Sequence, residues 1–291
     1  MNVLGGTRVL GVFGHPVAHS LSPVMHNAAI EHLHIDYVYV PFHVMPDALE
    51  QAVGGVRALQ IAGVNVTIPH KERVIRFLDE ISDHARQIGS VNTVINRNGC
   101  LFGDTTDGPG FIRSAEAVWG AIGGARVLIL GAGGSAKAVS FALARLGCPV
   151  VIANRTRERG AELADALVSV FGPNAARAVS LDRDELAREM KDTDLLVNTT
   201  SVGMSPGVGD IPIDPGILRP GLMVYDLVYN PLRPRLVEEA ESRGAKAVSG
   251  LGMLVYQGAL SFEMWTGIEA PVEVMEQAAI GHFSRLQSRA R

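Results

Sequence analysis

The sequence has few cysteines, few aromatic residues and no surplus of basic charge. Its 291 residues include only 2 cysteines, Cys100 and Cys148, which excludes a disulfide framework and a zinc site built from cysteines. The 26 basic and 30 acidic residues give a net charge of −4, which argues against nucleic acid or an anionic membrane as a partner. Charged residues make up 19% of the chain and hydrophobic residues 47%, so we expect a folded chain.

Long uninterrupted hydrophobic runs are also missing. The N-terminal stretch has neither the apolar core nor the cleavage pattern of a signal peptide. The most apolar stretch, 127–154, is broken by glycines, Lys137 and Arg145, whereas a membrane span needs about 20 nearly continuous apolar residues. We therefore expect a soluble, cytoplasmic protein that does not associate with a membrane.

Glycine is the residue type in excess, at 32 of 291 residues against a usual share of about 7%. Neither a repeat nor a low-complexity segment accounts for it, so the glycines are expected at individual turns and joints. The chain length is typical of about two domains.

Strands alternate with helices along the chain, which predicts an α/β protein. In the first part, a helix is predicted to open at Ser22-Pro23, with Ser22 as its N-cap, and Asn98-Gly99 predicts a hairpin turn. The other elements predicted there are strands at Val9–Phe13, Tyr37–Phe42, Gly63–Ile68, Val91–Asn96 and Cys100–Phe102 and helices at Met45–Val53, Glu72–Leu78 and Phe111–Trp119.

Beyond the glycine-rich segment Gly120–Gly124 the alternation becomes regular, and the apolar runs are typical of a parallel sheet covered on both faces. The predicted strands are Val127–Leu130, Val150–Ala153, Leu195–Val197 and Met223–Leu227. The predicted helices are Ser135–Leu146, Glu158–Phe171, Arg235–Arg243, Met253–Trp265 and Pro271–Leu286. This part therefore predicts a Rossmann-type, doubly wound parallel-sheet domain.

A glycine-rich turn, Gly131-Ala132-Gly133-Gly134-Ser135-Ala136, follows a predicted strand and opens a helix. It fits the dinucleotide-binding fingerprint with alanine in the third position. The first glycine allows the tight turn, the second lets the backbone approach a pyrophosphate, and the helix N-terminus supplies N–H donors for that anion. The alternative is a tight strand-to-helix turn without a ligand.

The residues after the next strand indicate which dinucleotide binds. In NAD-binding proteins, an Asp or Glu about 20 residues after the glycine-rich turn usually binds the ribose hydroxyl. This sequence has Asn154-Arg155-Thr156 there instead. A guanidinium matches the geometry of a phosphate, so Arg155 predicts NADP. The alternative is that Arg155 is an ordinary solvated surface charge.

Several polar residues of the first half are not required by local structure. Lys71 follows a predicted strand in the first turn of a predicted helix, where the positive end of the helix dipole disfavours a cation, so we consider a role in acid–base chemistry. An exposed lysine is the alternative. Asn92 lies inside a predicted strand, where Asn is disfavoured, which indicates a hydrogen-bonding role. Asp107, at the predicted domain boundary, and Ser20 and Ser22 are either site residues or helix caps.

Of the nine histidines, five crowd between His15 and His34. Their spacing matches no His-Glu-x-x-His metal motif and acidic neighbours are sparse, so no metal site is predicted.

Seven segments together resemble the shikimate dehydrogenase family, in the family's order and over nearly the whole chain. They are His19-Ser20-Leu21-Ser22-Pro23, Asn65-Val66-Thr67-Ile68-Pro69-His70-Lys71, Gly89-Ser90-Val91-Asn92-Thr93, Asp104-Thr105-Thr106-Asp107-Gly108, Gly131–Ala136, Asn154-Arg155-Thr156 and Gly250-Leu251-Gly252-Met253-Leu254-Val255-Tyr256-Gln257. The resemblance implies a reversible, NADP-linked reduction of 3-dehydroshikimate to shikimate, on the route to chorismate and the aromatic amino acids. It also implies an N-terminal α/β substrate domain of residues 1–112 and 248–291, and an NADP domain of residues 113–247.

The resemblance implies the site residues as well. Lys71 and Asp107 would form the catalytic pair beside the reacting hydroxyl, and Ser20 and Ser22 would bind the substrate carboxylate. Further substrate contacts would come from Thr67, Asn92, Tyr229 and Gln257. The NADP site would comprise Gly131, Ala132, Gly133, Gly134, Ser135, Asn154, Arg155 and Thr156, with Leu227 and Gly250 beside the nicotinamide. Thr105 stands where the family usually has Asn, which puts in question how Asp107 is held.

Two other functions are weighed against this one. A quinate/shikimate dehydrogenase of broader specificity that uses NAD tends to carry an acidic residue near the end of the second strand, which Asn154-Arg155-Thr156 lacks. A non-catalytic NADP-binding regulator would be favoured by loss of Lys71 or Asp107, and both are present. The expected partner is a small-molecule substrate. The sequence does not fix the oligomeric state, and a homodimer is a hypothesis.

Overall fold

The computed structural model describes residues 3–289 and divides into two compact units. The first unit contains the residues up to Gly110 and those from Val255 onward, and the second contains Phe111–Leu254. Each unit is built on a six-stranded sheet of its own. In the described part of the chain, no helix combines the length and the apolar character needed to cross a membrane.

The sheet of the first unit is mixed. Its strands are β1 (Arg8–Gly14), β2 (Tyr37–His43), β3 (Gly63–Val66), β4 (Glu80–Ile81), β5 (Thr93–Arg97) and β6 (Cys100–Asp104), in the order β2-β1-β3-β5-β6-β4. Strand β1 is parallel to both β2 and β3, whereas β5 is antiparallel to β3 and β6. The predicted hairpin is confirmed: Asn98 and Gly99 have φ values of 54° and 93°, as a type I′ turn requires.

The helices of this stretch are α1 (Ser22–His32), α2 (Leu49–Ala58), α3 (Asp83–Ile88) and α4 (Asp107–Trp119), with 3₁₀ turns at Pro46–Ala48 and Arg73–Phe77. The prediction that Ser22 is the N-cap of α1 is wrong, because Ser22 is already helical and Leu21 holds the cap position without a side-chain hydrogen bond. The helix predicted at Glu72–Leu78 is only a 3₁₀ turn, and Lys71 precedes it. The Lys71 carbonyl accepts from Val91 N, so this backbone is tied to a neighbouring segment instead.

The second unit has the predicted doubly wound architecture. Its strands are β7 (Val127–Leu130), β8 (Val150–Ala153), β9 (Ala176–Val179), β10 (Leu195–Asn198), β11 (Met223–Asp226) and β12 (Lys246–Ser249). They are all parallel, in the order β12-β11-β10-β7-β8-β9, which is the strand order of a Rossmann fold. The helices that connect them are α5 (Gly134–Arg145), α6 (Arg157–Phe171), α7 (Arg183–Asp192) and α8 (Arg235–Ser242).

The last two helices are α9 (Leu251–Thr266) and α10 (Val272–Arg289). Within the first unit, the α9 residue Trp265 lies against the sheet and donates from Nε1 to the Val94 carbonyl at 3.0 Å. A Cβ at Gly63 would lie 2.2 Å from that Nε1 atom, so glycine at this strand position lets the helix approach. Helix α10 packs on α1.

Candidate active site

The centre of the candidate site in the first unit is an ion pair between Lys71 and Asp107. Lys71 Nζ donates to Asp107 Oδ2 at 2.6 Å, and the two side chains are 23% and 10% exposed. Asp107 is the first residue of α4. Its carboxylate accepts hydrogen bonds from Lys71 and Asn92, so it is not only the helix cap that the sequence offered as an alternative. The Lys71 side chain keeps partial access to solvent.

Asn92 connects this pair to α9. Its Nδ2 atom donates to Asp107 Oδ1 at 2.9 Å and lies 3.2 Å from Gln257 Oε1. Its Oδ1 atom accepts from Thr106 N at 2.8 Å. Asn92 lies directly before β5 and not inside a strand, because the pairing of β5 with β3 begins at Thr93. The strand end leaves the amide free to bridge several elements.

Gln257 reaches Asn92 because α4 and α9 approach closely at Gly110. A Cβ at Gly110 would lie 2.6 Å from Gln257 N and 2.7 Å from its Cα, and backbone atoms cannot yield to such a contact. The chain separation of 165 residues between Asn92 and Gln257 hides this contact from any local sequence pattern.

The three hydroxyl residues predicted to bind substrate lie at one edge of the same sheet. Ser20 and Ser22 follow β1, and Thr67 follows β3. Because β1 and β3 are parallel neighbours, their carboxyl ends meet at this edge, where the segment that leads to Lys71 also begins. Ser20 Oγ accepts from Ser22 N at 3.3 Å, which shapes the loop.

In the second unit, the glycine-rich turn between β7 and α5 has the geometry of an anion cradle. Gly131 has φ +108°, and a Cβ there would lie 2.6 Å from Thr199 Oγ1, so this position requires glycine. At Gly133 and Gly134 a Cβ would meet no atom within 4 Å, which leaves open space in front of the helix N-terminus. Ala132 lies in the same turn, and Ser135 in the first turn of α5. These residues fit a dinucleotide pyrophosphate.

The segment after β8 lies at the same edge of this parallel sheet as the glycine-rich turn. Asn154 Nδ2 donates to the Thr156 carbonyl at 2.7 Å and so shapes the turn that carries Arg155, which is exposed. Thr156 occupies the N-cap of α6 without a side-chain capping bond. An exposed guanidinium beside a helix N-terminus fits a phosphate group.

Leu227 and Gly250 are brought together next to this edge. Gly250 N donates to Val228 O at 3.1 Å, and a Cβ at Gly250 would lie 2.1 Å from Leu227 O. Tyr229 follows on the same loop, and burial raises the pKa of its hydroxyl. Tyr229 belongs to the second unit, whereas the other predicted substrate residues belong to the first.

Sequence reasoning missed a buried carboxyl at the end of β11. Asp226 is 1% exposed, its Oδ1 atom accepts from Asn198 Nδ2 at 2.8 Å and from Val228 N at 3.0 Å, and burial raises its pKa to about 6. The available signal was an aspartate near the end of the otherwise apolar strand predicted at Met223–Leu227. Thr105, in contrast, is buried and its Oγ1 has no hydrogen-bond partner, so the described structure shows no hydrogen bond by which it holds Asp107.

Three models of known families match this chain. They are the shikimate dehydrogenase substrate binding domain over residues 12–94, shikimate / quinate 5-dehydrogenase over residues 113–204, and the shikimate 5′-dehydrogenase C-terminal domain over residues 250–280.

Individual relatives agree with these matches. An NADP(+) shikimate dehydrogenase of Methanopyrus kandleri is 53% identical over 280 residues, covering 95% of this chain and 96% of the relative. The Listeria monocytogenes shikimate 5-dehydrogenase, solved with shikimate and NAD, is 36% identical with a TM-score of 0.91 and covers 95% of this chain and 98% of its own. The Thermus thermophilus enzyme, solved with NADP(H) and shikimate, is 39% identical with a TM-score of 0.85, over 94% and 98% of the two chains.

Proposed function

Because the chain belongs to the shikimate dehydrogenase family, we propose that it catalyses the reversible, NADPH-dependent reduction of 3-dehydroshikimate to shikimate. The observation that supports this most directly is the ion pair of Lys71 and Asp107, with Asn92 and Gln257 beside it. The product leads on to chorismate and the aromatic amino acids. A cytoplasmic location stays a prediction of the sequence, and a homodimeric state stays a hypothesis.

The proposed division of labour follows from the chemistry of a carbonyl reduction. When bound, NADPH supplies the hydride. The protein must align the carbonyl and provide one proton for its oxygen. Lys71 gives that proton in reduction and takes it back in oxidation, and Asp107 orients the ammonium and accepts a hydrogen bond from the substrate hydroxyl. Ser20 and Ser22 bind the substrate carboxylate, and Thr67, Asn92, Gln257 and Tyr229 contact the remaining polar groups and the ring.

We further propose that NADP is bound by residues of the second unit. Gly131, Ala132, Gly133, Gly134 and Ser135 would hold the pyrophosphate at the N-terminus of α5. Asn154, Arg155 and Thr156 would hold the 2′-phosphate, and Leu227 and Gly250 would border the nicotinamide. The substrate domain is taken as residues 1–112 and 248–291, and the NADP domain as residues 113–247.

Substitution of Lys71 tests this proposal. Lys71→Ala removes the proton carrier, so kcat for shikimate oxidation with NADP should fall by at least about a hundredfold. The rate is followed by absorbance of NADPH. Lys191→Ala is the matched control, because Lys191 is an exposed lysine at the end of α7, and its kcat should equal that of the wild type. A wild-type kcat in Lys71→Ala would overturn the assignment, and an inactive wild-type protein would overturn the function itself.

A second candidate is a quinate/shikimate dehydrogenase that uses NAD. Two observations favour including it: the match over residues 113–204 is to a combined shikimate / quinate family, and the Listeria relative was solved with NAD. The exposed Arg155 favours NADP instead. A non-catalytic regulator is disfavoured, because a binding protein has no need of a lysine held against a buried carboxylate.

A further inference from the structure

A continuous row of buried polar side chains leads from Tyr39 in β2 to the Lys71–Asp107 pair. Tyr39 Oη donates to Asn65 Oδ1 at 2.7 Å, which leaves the amide nitrogen of Asn65 pointing the other way. That nitrogen, Nδ2, donates to Ser261 Oγ at 3.0 Å. None of Tyr39, Asn65 and Ser261 is more than 6% exposed, so water does not compete for these bonds.

The row continues through two hydroxyl groups. Ser261 Oγ and Thr93 Oγ1 are 2.7 Å apart, so one of them must donate its only proton to the other. Thr93 Oγ1 also lies 2.9 Å from Asn92 Oδ1, an acceptor that can use only a donor. If the Thr93 hydroxyl donates to Asn92 Oδ1, then the Ser261 hydroxyl must donate to Thr93 Oγ1. Ser261 Oγ in turn accepts a hydrogen bond from Asn65 Nδ2. Every bond then runs in the same direction.

The orientation of the Asn92 amide agrees with this direction, and the Thr106 N–H group and the Asp107 carboxylate favour the same orientation. With its oxygen facing Thr93 Oγ1 and Thr106 N, the Asn92 nitrogen faces Asp107 Oδ1. A reversed amide would place its oxygen against that carboxylate oxygen, which is repulsive. Asp107 Oδ2 is then left to Lys71 Nζ. Successive bonds of this kind polarise one another in a low-dielectric interior.

We propose that Thr93 and Ser261, supported by Asn65 and Tyr39, are positioning residues. They fix the orientation of the Asn92 amide, which thereby holds the Asp107 carboxylate where it pairs with Lys71. The inference rests on the proposed function. None of the four contacts Lys71 or Asp107 through a hydrogen bond that the structure shows, so each acts through Asn92. Ser261 Oγ also lies 3.0 Å from the Gln257 carbonyl, one helical turn earlier in α9, so this carbonyl and Thr93 Oγ1 are alternative acceptors for the one Ser261 proton.

Thr93 offers the sharpest test, because valine has nearly its shape and lacks the hydroxyl. Thr93→Val should lower kcat for shikimate oxidation by about tenfold, the usual effect of losing one buried hydrogen bond. The KM for NADP should stay within about twofold of wild type, because the row lies in the other unit from the glycine-rich turn. Thr93→Ser keeps the hydroxyl and should restore most of the rate.

Thr105→Val is the matched control. Thr105 is also a buried threonine, only 2% exposed, but its Oγ1 makes no hydrogen bond, so its kcat should equal that of the wild type. The inference is overturned if Thr93→Val keeps the wild-type kcat, if Thr93→Ser loses as much rate as Thr93→Val, or if Thr105→Val loses as much as either.

Tyr39→Phe gives an independent test from the far end of the row and is also used if Thr93→Val does not fold. It removes one hydroxyl oxygen, and kcat should fall by several fold while the KM for NADP is unchanged. An unchanged kcat in a folded Tyr39→Phe protein would overturn the role assigned to the row. A wild-type enzyme inactive in the same assay would instead refute the proposed function.

Discussion

Arg155 is the residue whose role in choosing NADP over NAD can be tested most simply. It is exposed on the turn after β8, where a 2′-phosphate would approach. Arg155→Ala should raise the KM for NADP by about tenfold or more, the effect of losing a charge-assisted phosphate contact, and should change the KM for NAD little. Steady-state rates with shikimate and each dinucleotide measure this.

Arg126→Ala provides the control for that substitution. Arg126 precedes β7, at the opposite edge of the same parallel sheet, and its side chain is 54% exposed and paired with Asp192 and Asp194. Its loss changes the net charge equally but should leave both KM values unchanged. Equal effects of Arg155→Ala on NADP and NAD would contradict a role in binding the 2′-phosphate.

Single residues could be chosen from the sequence when local structure did not require them. Lys71, Asn92 and Asp107 were of this kind, and the structure joins them directly. Lys71 and Asn92 nevertheless lie outside the helix and the strand in which the sequence placed them. Ser261 could not have been chosen, because it is one of several polar residues in a mostly apolar helix and its partner Thr93 lies 168 residues away. Tertiary hydrogen bonds of this type leave no local pattern.

Among the elements, those with continuous apolar runs were predicted and the short, partly exposed ones were not. Strand β7 consists of four buried apolar residues and is followed by the glycine-rich turn that leads into α5. The predictions of β7 and α5 are both confirmed. Strand β9 reads Ala-Arg-Ala-Val and strand β12 Lys-Ala-Val-Ser, both at the edges of the sheet, so neither shows an apolar run. Helix α7 was missed although Asp182 caps it, because its surface is strongly polar.

The packing of α1 depends on a buried histidine. His26 is fully buried, its ring lies on the Tyr39 ring at 4.2 Å between centroids, and Phe262 and Trp265 of α9 lie beside it. Desolvation lowers the pKa of His26 to about 3 from 6.5. Below pH 6.5 the unfolded chain therefore binds a proton that the folded chain does not, so stability is lost as the pH falls from about 6.5 toward 3.

His26→Leu removes this linkage. Between pH 7.5 and pH 5, wild-type protein should lose about 2 kcal/mol of unfolding free energy through His26, and the variant should lose that much less. Urea unfolding of the full chain at both pH values measures the difference. His32→Leu is the control, since His32 is exposed at the end of the same helix, and it should retain the wild-type difference between the two pH values. An equal pH dependence in His26→Leu and wild type would contradict the assignment.

For the molecule as a whole, the composition indicated a folded chain, and the positions of particular residues indicated the chemistry. A net charge of −4 argued against a polyanionic partner such as nucleic acid. The anion that Arg155 is expected to bind is the single 2′-phosphate of NADP. The glycine excess is explained in part by close approaches, since Gly63, Gly110 and Gly250 each stand where a Cβ would overlap a neighbouring element. Such approaches depend on the tertiary structure and cannot be derived from the count of glycines.

The specificity constant of the wild-type enzyme distinguishes a shikimate dehydrogenase that uses NADP from the alternatives. We would measure kcat/KM by NADPH or NADH absorbance for shikimate and for quinate, each with NADP and with NAD. We expect the highest value for shikimate with NADP, at least about tenfold above each of the other three combinations. An equal or higher value for quinate or for NAD would show the broader quinate/shikimate enzyme, and no turnover with any pair would contradict a dehydrogenase function.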